Sequence, residues 1–167
     1  MRFMSLVDVI LSRRSIRHYD QRQIPKDVLD TILEAGRYAP SAANMQPWHF
    51  IVVTNEEIKK ELSKGLFSKF LKNSPLVIVG CCHTSLFVGK WSKIDTTIAL
   101  QNMVIAAWAF GVGSCWIGSF KENRVRRLLN IPVDWNVVAL ISFGYPVEIP
   151  KPHGRKPIQK IVSYNKF

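Results

Sequence analysis

Several features that would place a chain outside the ordinary globular class are scarce or missing here. There are three cysteines, Cys81, Cys82 and Cys115. That count is odd and the spacing is unlike a secreted mini-domain, which excludes a disulfide framework. The longest apolar run, residues 103–112, is too short to span a bilayer. "MRFMSLVDVI" runs straight into charged sequence and does not read as a signal peptide, so a cytoplasmic protein without membrane contact is expected. Around Gly111, Gly113 and Gly118 the order G-x-G-x-x-G is missing, which argues against a Rossmann domain. No P-loop, nucleophile elbow or acid–base pair is legible. Acidic residues are few: 12 Asp and Glu stand against 23 Lys and Arg, a formal charge of +11. Such a surplus favours anionic partners, whether nucleotides, phosphorylated cofactors, acidic metabolites or nucleic acid, without choosing among them.

What is present fits one folded unit. The 167 residues, 47% hydrophobic and 21% charged, suit a single domain over residues 1–167 with a substantial core. Ser5 can cap a first helix, and "RSIRHYDQRQI" breaks its period as an extended connection. Pro25 precedes an amphipathic helix with Val28, Leu29, Ile32, Leu33 and Ala35 on one face, ended by Pro40. "PSAANMQP" reads as a loop and "WHFIVVT" as a strand. Asn55 can cap a helix starting "EEIKKEL", followed by a second helical piece, "LFSKFL". "PLVIVGCC" reads as a buried strand, with an exposed loop at 83–93. Residues 93–110 predict a helix apolar on nearly every face, which belongs in the fold's centre or at an oligomer interface. Gly111 suits its C-terminal stop. "VGSCWIG" and "VVALISFGYP" read as strands, and Ser119 with Glu122 as a capping box for the helix between them. The basic, proline-rich tail reads as extended.

Four clusters carry chemical interest. In "LSRRSIRHYD", Arg13, Arg14 and Arg17 surround Ser15. Arginine forks match phosphate oxygens and a hydroxyl adds a donor, so this reads equally as a phosphate cradle or a solvated basic turn. "PSAANMQPW" is a rigid loop able to approach a flat ligand, although alone it reads first as a connector. "GSCWIGS" presents backbone N–H groups at a strand end. Arg155 and Lys156 lie on a tail that could fold over an anion, though in isolation they read first as a solvated terminus. "CCH" (Cys81, Cys82, His83) resembles a metal-ligand fragment. Adjacent strand residues face opposite ways and no second ligand pair has zinc spacing, so no metal is expected. His18, His49, His83 and His153 lack catalytic context, and His49 reads as a partly buried, satisfied histidine. An enzyme without its own catalytic group needs a cofactor for the chemistry.

Taken in order, "RRSIRHY", "AGRYAPSAANMQPWHFIVV", "DTTIALQNMVIAAWAFGVGSCWIG" and "GRKPIQKIV" resemble the flavin-dependent nitroreductase family over nearly the whole chain. The resemblance implies an α+β fold: a mainly antiparallel central sheet, flanking helices and a long buried core helix, in an intertwined homodimer with FMN between subunits. It implies that Arg13, Arg14 and Ser15 hold the phosphate and ribityl chain, and that Arg17 lies beside the flavin pyrimidine edge. Pro40, Ser41, Ala42 and Asn44 match a loop reaching the flavin from the partner subunit. Ile117 and Gly118 match the strand end whose backbone approaches the ring, and Arg155 and Lys156 a basic pair closing on the phosphate. The chain is short for the family, so the helical excursion that often covers the active site is reduced or absent.

The implied activity is ping-pong hydride transfer from NADPH or NADH to small flat acceptors such as nitroaromatics, quinones or flavins, with no catalytic side chain. Phe67, Phe70, Phe87 and Trp91 are candidate walls of the site by their place in variable loops. Alternatives are a specialised flavin reaction on the same scaffold (reductive dehalogenation or flavin fragmentation) or a non-catalytic flavin-binding protein. Basic residues are spread without aromatic interleaving, so nucleic acid is not expected as a partner.

Overall fold

A computed structural model describes residues 5–84 and 89–167. Its centre is a four-stranded sheet: β1 (Trp48–Val53), β2 (Leu76–His83), β3 (Gly113–Ile117) and β4 (Trp135–Gly144). The spatial order is β1-β2-β4-β3, and every neighbouring pair is antiparallel. β2 is central and apolar on both faces, so its residues are buried from Leu76 to Cys82. Among the described residues there are five α-helices, α1 (Leu6–Ser12), α2 (Lys26–Arg37), α3 (Glu56–Leu62), α4 (Gly89–Ala109) and α5 (Glu122–Leu128), with α1 packed on α4.

The two faces of the sheet carry separate cores. Leu76, Ile78, Ile141 and Phe143 pack with Leu100, Met103 and Val104 of α4 and Ile32 of α2. Val77, Val79, Cys81 and Leu140 point the other way, against Leu62 of α3 and Val125 of α5. The alternation of β2 therefore decides which helices lie on which side. At one place the register shifts: Gly80 pairs with Ala139 but Cys81 with Val137, which leaves Val138 as an extra residue in β4.

Local chemistry sets the helix ends. Ser5 and Asp8 exchange hydrogen bonds as a capping box for α1. Asn55 Oδ1 accepts the Ile58 N–H at the start of α3, at 3.0 Å. α4 stops at Gly111, whose φ of +72° favours glycine.

Four expectations differ. "LFSKFL" is not an α-helix: Ser68 accepts the Gly65 N–H and donates to the Leu62 carbonyl, and a 3-10 turn over Lys69–Asn73 follows. Side-chain competition for backbone groups replaces the helical ladder there. Residues 89–93, expected in a loop, form the first turn of α4. Ser119 and Glu122 make no capping box: Lys121 occupies the cap position, and the Glu122 carboxylate accepts the Val137 N–H beside the irregularity in β4, at 3.0 Å. His49 is exposed because β1 is an edge strand, and it meets the Trp135 ring edge-on.

α4 is buried along one side through Ala99, Leu100, Met103, Val104 and Ala107, whereas Ile94 and Ile98 remain 47% and 37% exposed in the single chain. α1 likewise buries only Val9 and exposes Leu6, Val7, Ile10 and Leu11. Among the described residues no helix is long and apolar enough to cross a membrane.

Candidate functional site

Two stretches of chain, 13–17 and 150–155, meet beside β3. After α1 the chain becomes extended, and Ser15 bridges Ser114 in parallel, with the Ile16 N–H on the Ser114 carbonyl at 2.9 Å. The buried Ile16 side chain lies so close over Gly113 that any Cβ there would collide with it. Tyr19 secures the other end. Its hydroxyl donates to the Ile16 carbonyl and shares a hydrogen bond with Ser142 Oγ, both at 2.6 Å. Tyr19 has one proton, so the arrangement that satisfies both runs Ser142 to Tyr19 to Ile16. Burial pushes the Tyr19 phenol well above its ordinary pKa, keeping it a neutral donor.

The same segment steers the tail. Asp20 N–H donates to the Tyr145 carbonyl and Val147 N–H to the His18 carbonyl, while Arg22 lies 3.5 Å from the Tyr145 ring centroid. The chain leaving β4 thus runs back beside residues 18–22. Pro150 and Pro152 then bring Lys151, His153 and Arg155 opposite Arg13, Arg14, Ser15 and Arg17, around a cleft of about 150 Å³.

Five permanent cations line this cleft (Arg13, Arg14, Arg17, Lys151 and Arg155) with no carboxylate among them. Arg14 Nη1 donates to the carbonyls of Leu11, Ser12 and Arg13, which otherwise lack partners at the end of α1. Its Nε is buried with no partner among the described residues. Arg155 Nη1 folds back on the carbonyls of His153 and Gly154. Arg17 lies over the Phe70 ring at 5.9 Å. Burial raises the Cys115 thiol pKa, and the nearby Arg17 and Arg13 pull it the other way. An unpaired buried guanidinium N–H among half-buried arginines and a serine hydroxyl suits a phosphate-like anion: it supplies charge and forked donors, with no competing acid. The cleft and its donors fit the phosphate of an FMN-type cofactor on these grounds.

The structure thus brings Arg13, Arg14, Ser15, Arg17 and Arg155 together. Ile117 ends β3 and Gly118 follows it, and open space stands where a Cβ of Gly118 would be, which leaves that backbone approachable. Lys156 is exposed and does not line the cleft. Pro40, Ser41, Ala42 and Asn44 sit on a loop held by α4 and do not line it either. Lys151 and His153 were missed by sequence reasoning. The signal was the alternation of proline and basic residues in "PKPHGRKP". Of the expected wall residues, Phe70 supports Arg17, Phe67 is exposed, Trp91 lies in α4 rather than a loop, and Phe87 lies outside the described residues. Among the described residues no three His, Cys, Asp or Glu gather as metal ligands.

A donor-rich cleft without a carboxylate, beside a two-faced antiparallel sheet, suits a bound anionic group. The nitroreductase family model matches residues 10–78 and 89–145, and the chain belongs to that family of flavin oxidoreductase enzymes. A Methanothermobacter thermautotrophicus protein, provisionally named an NADH dehydrogenase/NAD(P)H nitroreductase, is 39% identical over 154 residues, covering 88% of this chain and 80% of its own. The FMN-dependent nitroreductase of Clostridium difficile R20291 superposes with a TM-score of 0.86 at 33% identity, over 96% of this chain and 99% of that one. The NADPH:FMN oxidoreductase of Vibrio harveyi, solved with NAD+, shares the fold at a TM-score of 0.92 and 24% identity, and 77% of that chain is covered.

Proposed function

We propose that this chain is an FMN-dependent oxidoreductase that passes reducing equivalents from NADPH or NADH to flat acceptors such as nitroaromatics, quinones or flavins, donor and acceptor occupying the site in turn. The observation that carries the reading is the acid-free cleft of five cations with the unpaired Arg14 Nε, set beside β3 in a nitroreductase-family chain. FMN, when bound, supplies the hydride acceptance and release that no side chain here can. Arg13, Arg14 and Ser15 bind its phosphate, and Arg155 closes from the tail. Arg17 places a positive charge beside the pyrimidine edge, where it stabilises electron density gained on reduction. The backbone at Ile117 and Gly118 borders the ring.

Pro40, Ser41, Ala42 and Asn44 complete the site from a second copy of the chain. Support for a homodimer lies in the apolar surface the single chain leaves open: Trp91, Ile94 and Ile98 along α4, and Leu6, Val7, Ile10 and Leu11 on α1.

The purified protein should absorb as a flavoprotein, directly or after adding FMN, and lose that absorption when NADPH is added without oxygen. Colourless protein that takes up no FMN contradicts the proposal. Yellow protein that neither NADPH nor NADH bleaches reduces it to flavin binding without the activity.

A further inference from the structure

The carboxylate of Asp95, on α4, is buried, with the residue 4% exposed. Its one hydrogen-bond partner among the described residues is the backbone N–H of Ala42, at 3.1 Å. Asn102 stands seven residues later, two turns on and so on the same side of the helix. Its Nδ2 donates to the Ala35 carbonyl in α2 at 3.2 Å. α4 therefore grips the preceding chain at two points, one on each side of residues 36–41. Immediately beyond the second grip the backbone takes an unusual path. Ala43, Asn44 and Gln46 have φ of +49°, +54° and +48°, a region L residues occupy at a cost and keep only when surrounding contacts impose it. Ser41 Oγ accepts the Gln46 N–H at 2.9 Å and the Ala42 carbonyl accepts the Met45 N–H at 3.0 Å, closing the loop on itself. At its far end the His83 N–H holds the Pro47 carbonyl at 2.9 Å; into the loop itself, among the described residues, Asp95 reaches from α4.

A buried carboxylate costs far more desolvation than one backbone hydrogen bond ordinarily returns. Any shape-matched apolar side chain would fill the volume without that cost, so volume alone does not account for Asp95. Backbone strain concentrates where a loop must hold one geometry for function. We infer that Asp95 is a positioning residue: with Asn102 on the same side of α4, its carboxylate fixes the 41–46 loop and thereby sets how tightly the protein holds FMN. The ligand in this inference rests on the proposed function, whereas the clamp itself does not.

The test uses the full-length protein with Asp95→Ala, Asp95→Asn and Asn102→Ala. Three quantities are read: amide exchange at Ala42 without flavin, the FMN dissociation constant, and Tm. Asp95→Ala should speed Ala42 exchange and weaken FMN by about tenfold, the loss expected for one hydrogen bond to a charged group. Asp95→Asn keeps an oxygen able to accept the same N–H and should restore both to within about threefold of wild type. Asn102→Ala loosens the other grip and should weaken FMN in the same direction, which keeps the test decisive should Asp95→Ala not fold. A purely structural role lowers Tm but leaves the folded protein's FMN affinity at the wild-type value, and that result overturns the inference. So does Asp95→Asn binding as weakly as Asp95→Ala. Wild-type protein that takes up no FMN contradicts the proposed function. Unchanged Ala42 exchange in Asp95→Ala contradicts the clamp alone.

Discussion

The cleft at residues 13–17 carries its chemistry on half-buried and exposed charged side chains, mounted on a backbone pinned to β3 and β4. The loop at 41–46 carries no charge of its own, and its shape lives in the backbone, held from below by a buried carboxylate. In the first region the anchoring residues (Ile16, Tyr19 and Ser142) are distinct from the binding ones. In the second the anchor, Asp95, belongs to another helix altogether. Charge can be placed by side chains on an ordinary extended strand. A close-fitting wall of small residues needs an imposed backbone, and the imposing group must come from elsewhere in the fold.

Breaking the anchor of the cleft should have the largest effect. Ile16→Ala empties a fully buried position against Gly113 and should cost about 2–5 kcal/mol in denaturant unfolding. Any folded fraction should also bind FMN poorly, because the arginines lose their mount. Arg13→Ala or Arg155→Ala should do the reverse, leaving the unfolding midpoint nearly unchanged while each weakens FMN by about tenfold. Together these variants separate mount from charge.

Tyr19→Phe should cost about 1–2 kcal/mol, since it strands the buried Ile16 carbonyl and leaves the Ser142 hydroxyl only a 3.5 Å contact to the Cys115 carbonyl. Ser142→Ala added to Tyr19→Phe should then cost less than the sum of the single changes, because both act on one network.

A last effect belongs to the core and touches neither region. Burial pushes the Cys81 thiol up to about 11 from an ordinary 9.0. The unfolded chain therefore releases that proton first. The contribution is full below pH 9 and is lost as pH rises toward 11. Thermal melts should fall over that window, and the fall should shrink in Cys81→Ala.

Much of the fold was legible in the sequence because its signals are local. Ser5 and Asn55 cap where they were expected, and the apolar runs at 48–53, 76–83, 113–117 and 135–144 are strands. Long-range competition defeated the rest. Glu122 reads as half of a capping box until the irregular β4 backbone at Val137 claims its carboxylate. "LFSKFL" has helical spacing, but the Ser68 hydroxyl takes the backbone groups a helix would need. The arginine half of the cleft stood out as three arginines around a serine. Its other half, Lys151 and His153, appears only when the 145–147 pairing returns the tail to residues 18–20. Asp95 was hidden in a helix read for its apolar residues, and no spacing rule connects it to Ala42, 53 residues away.

The most direct test of the cleft assignment compares FMN with riboflavin, which has the same ring and ribityl chain but no phosphate. Binding of both to the wild-type protein, and to the Arg13→Ala and Arg155→Ala variants, can be followed by quenching of flavin fluorescence. The cleft predicts FMN tighter than riboflavin by about 100-fold, with the gap narrowing in each variant while riboflavin affinity stays constant. Riboflavin bound as tightly as FMN by the wild type, or a gap untouched by both substitutions, would contradict the assignment of this cleft to the phosphate.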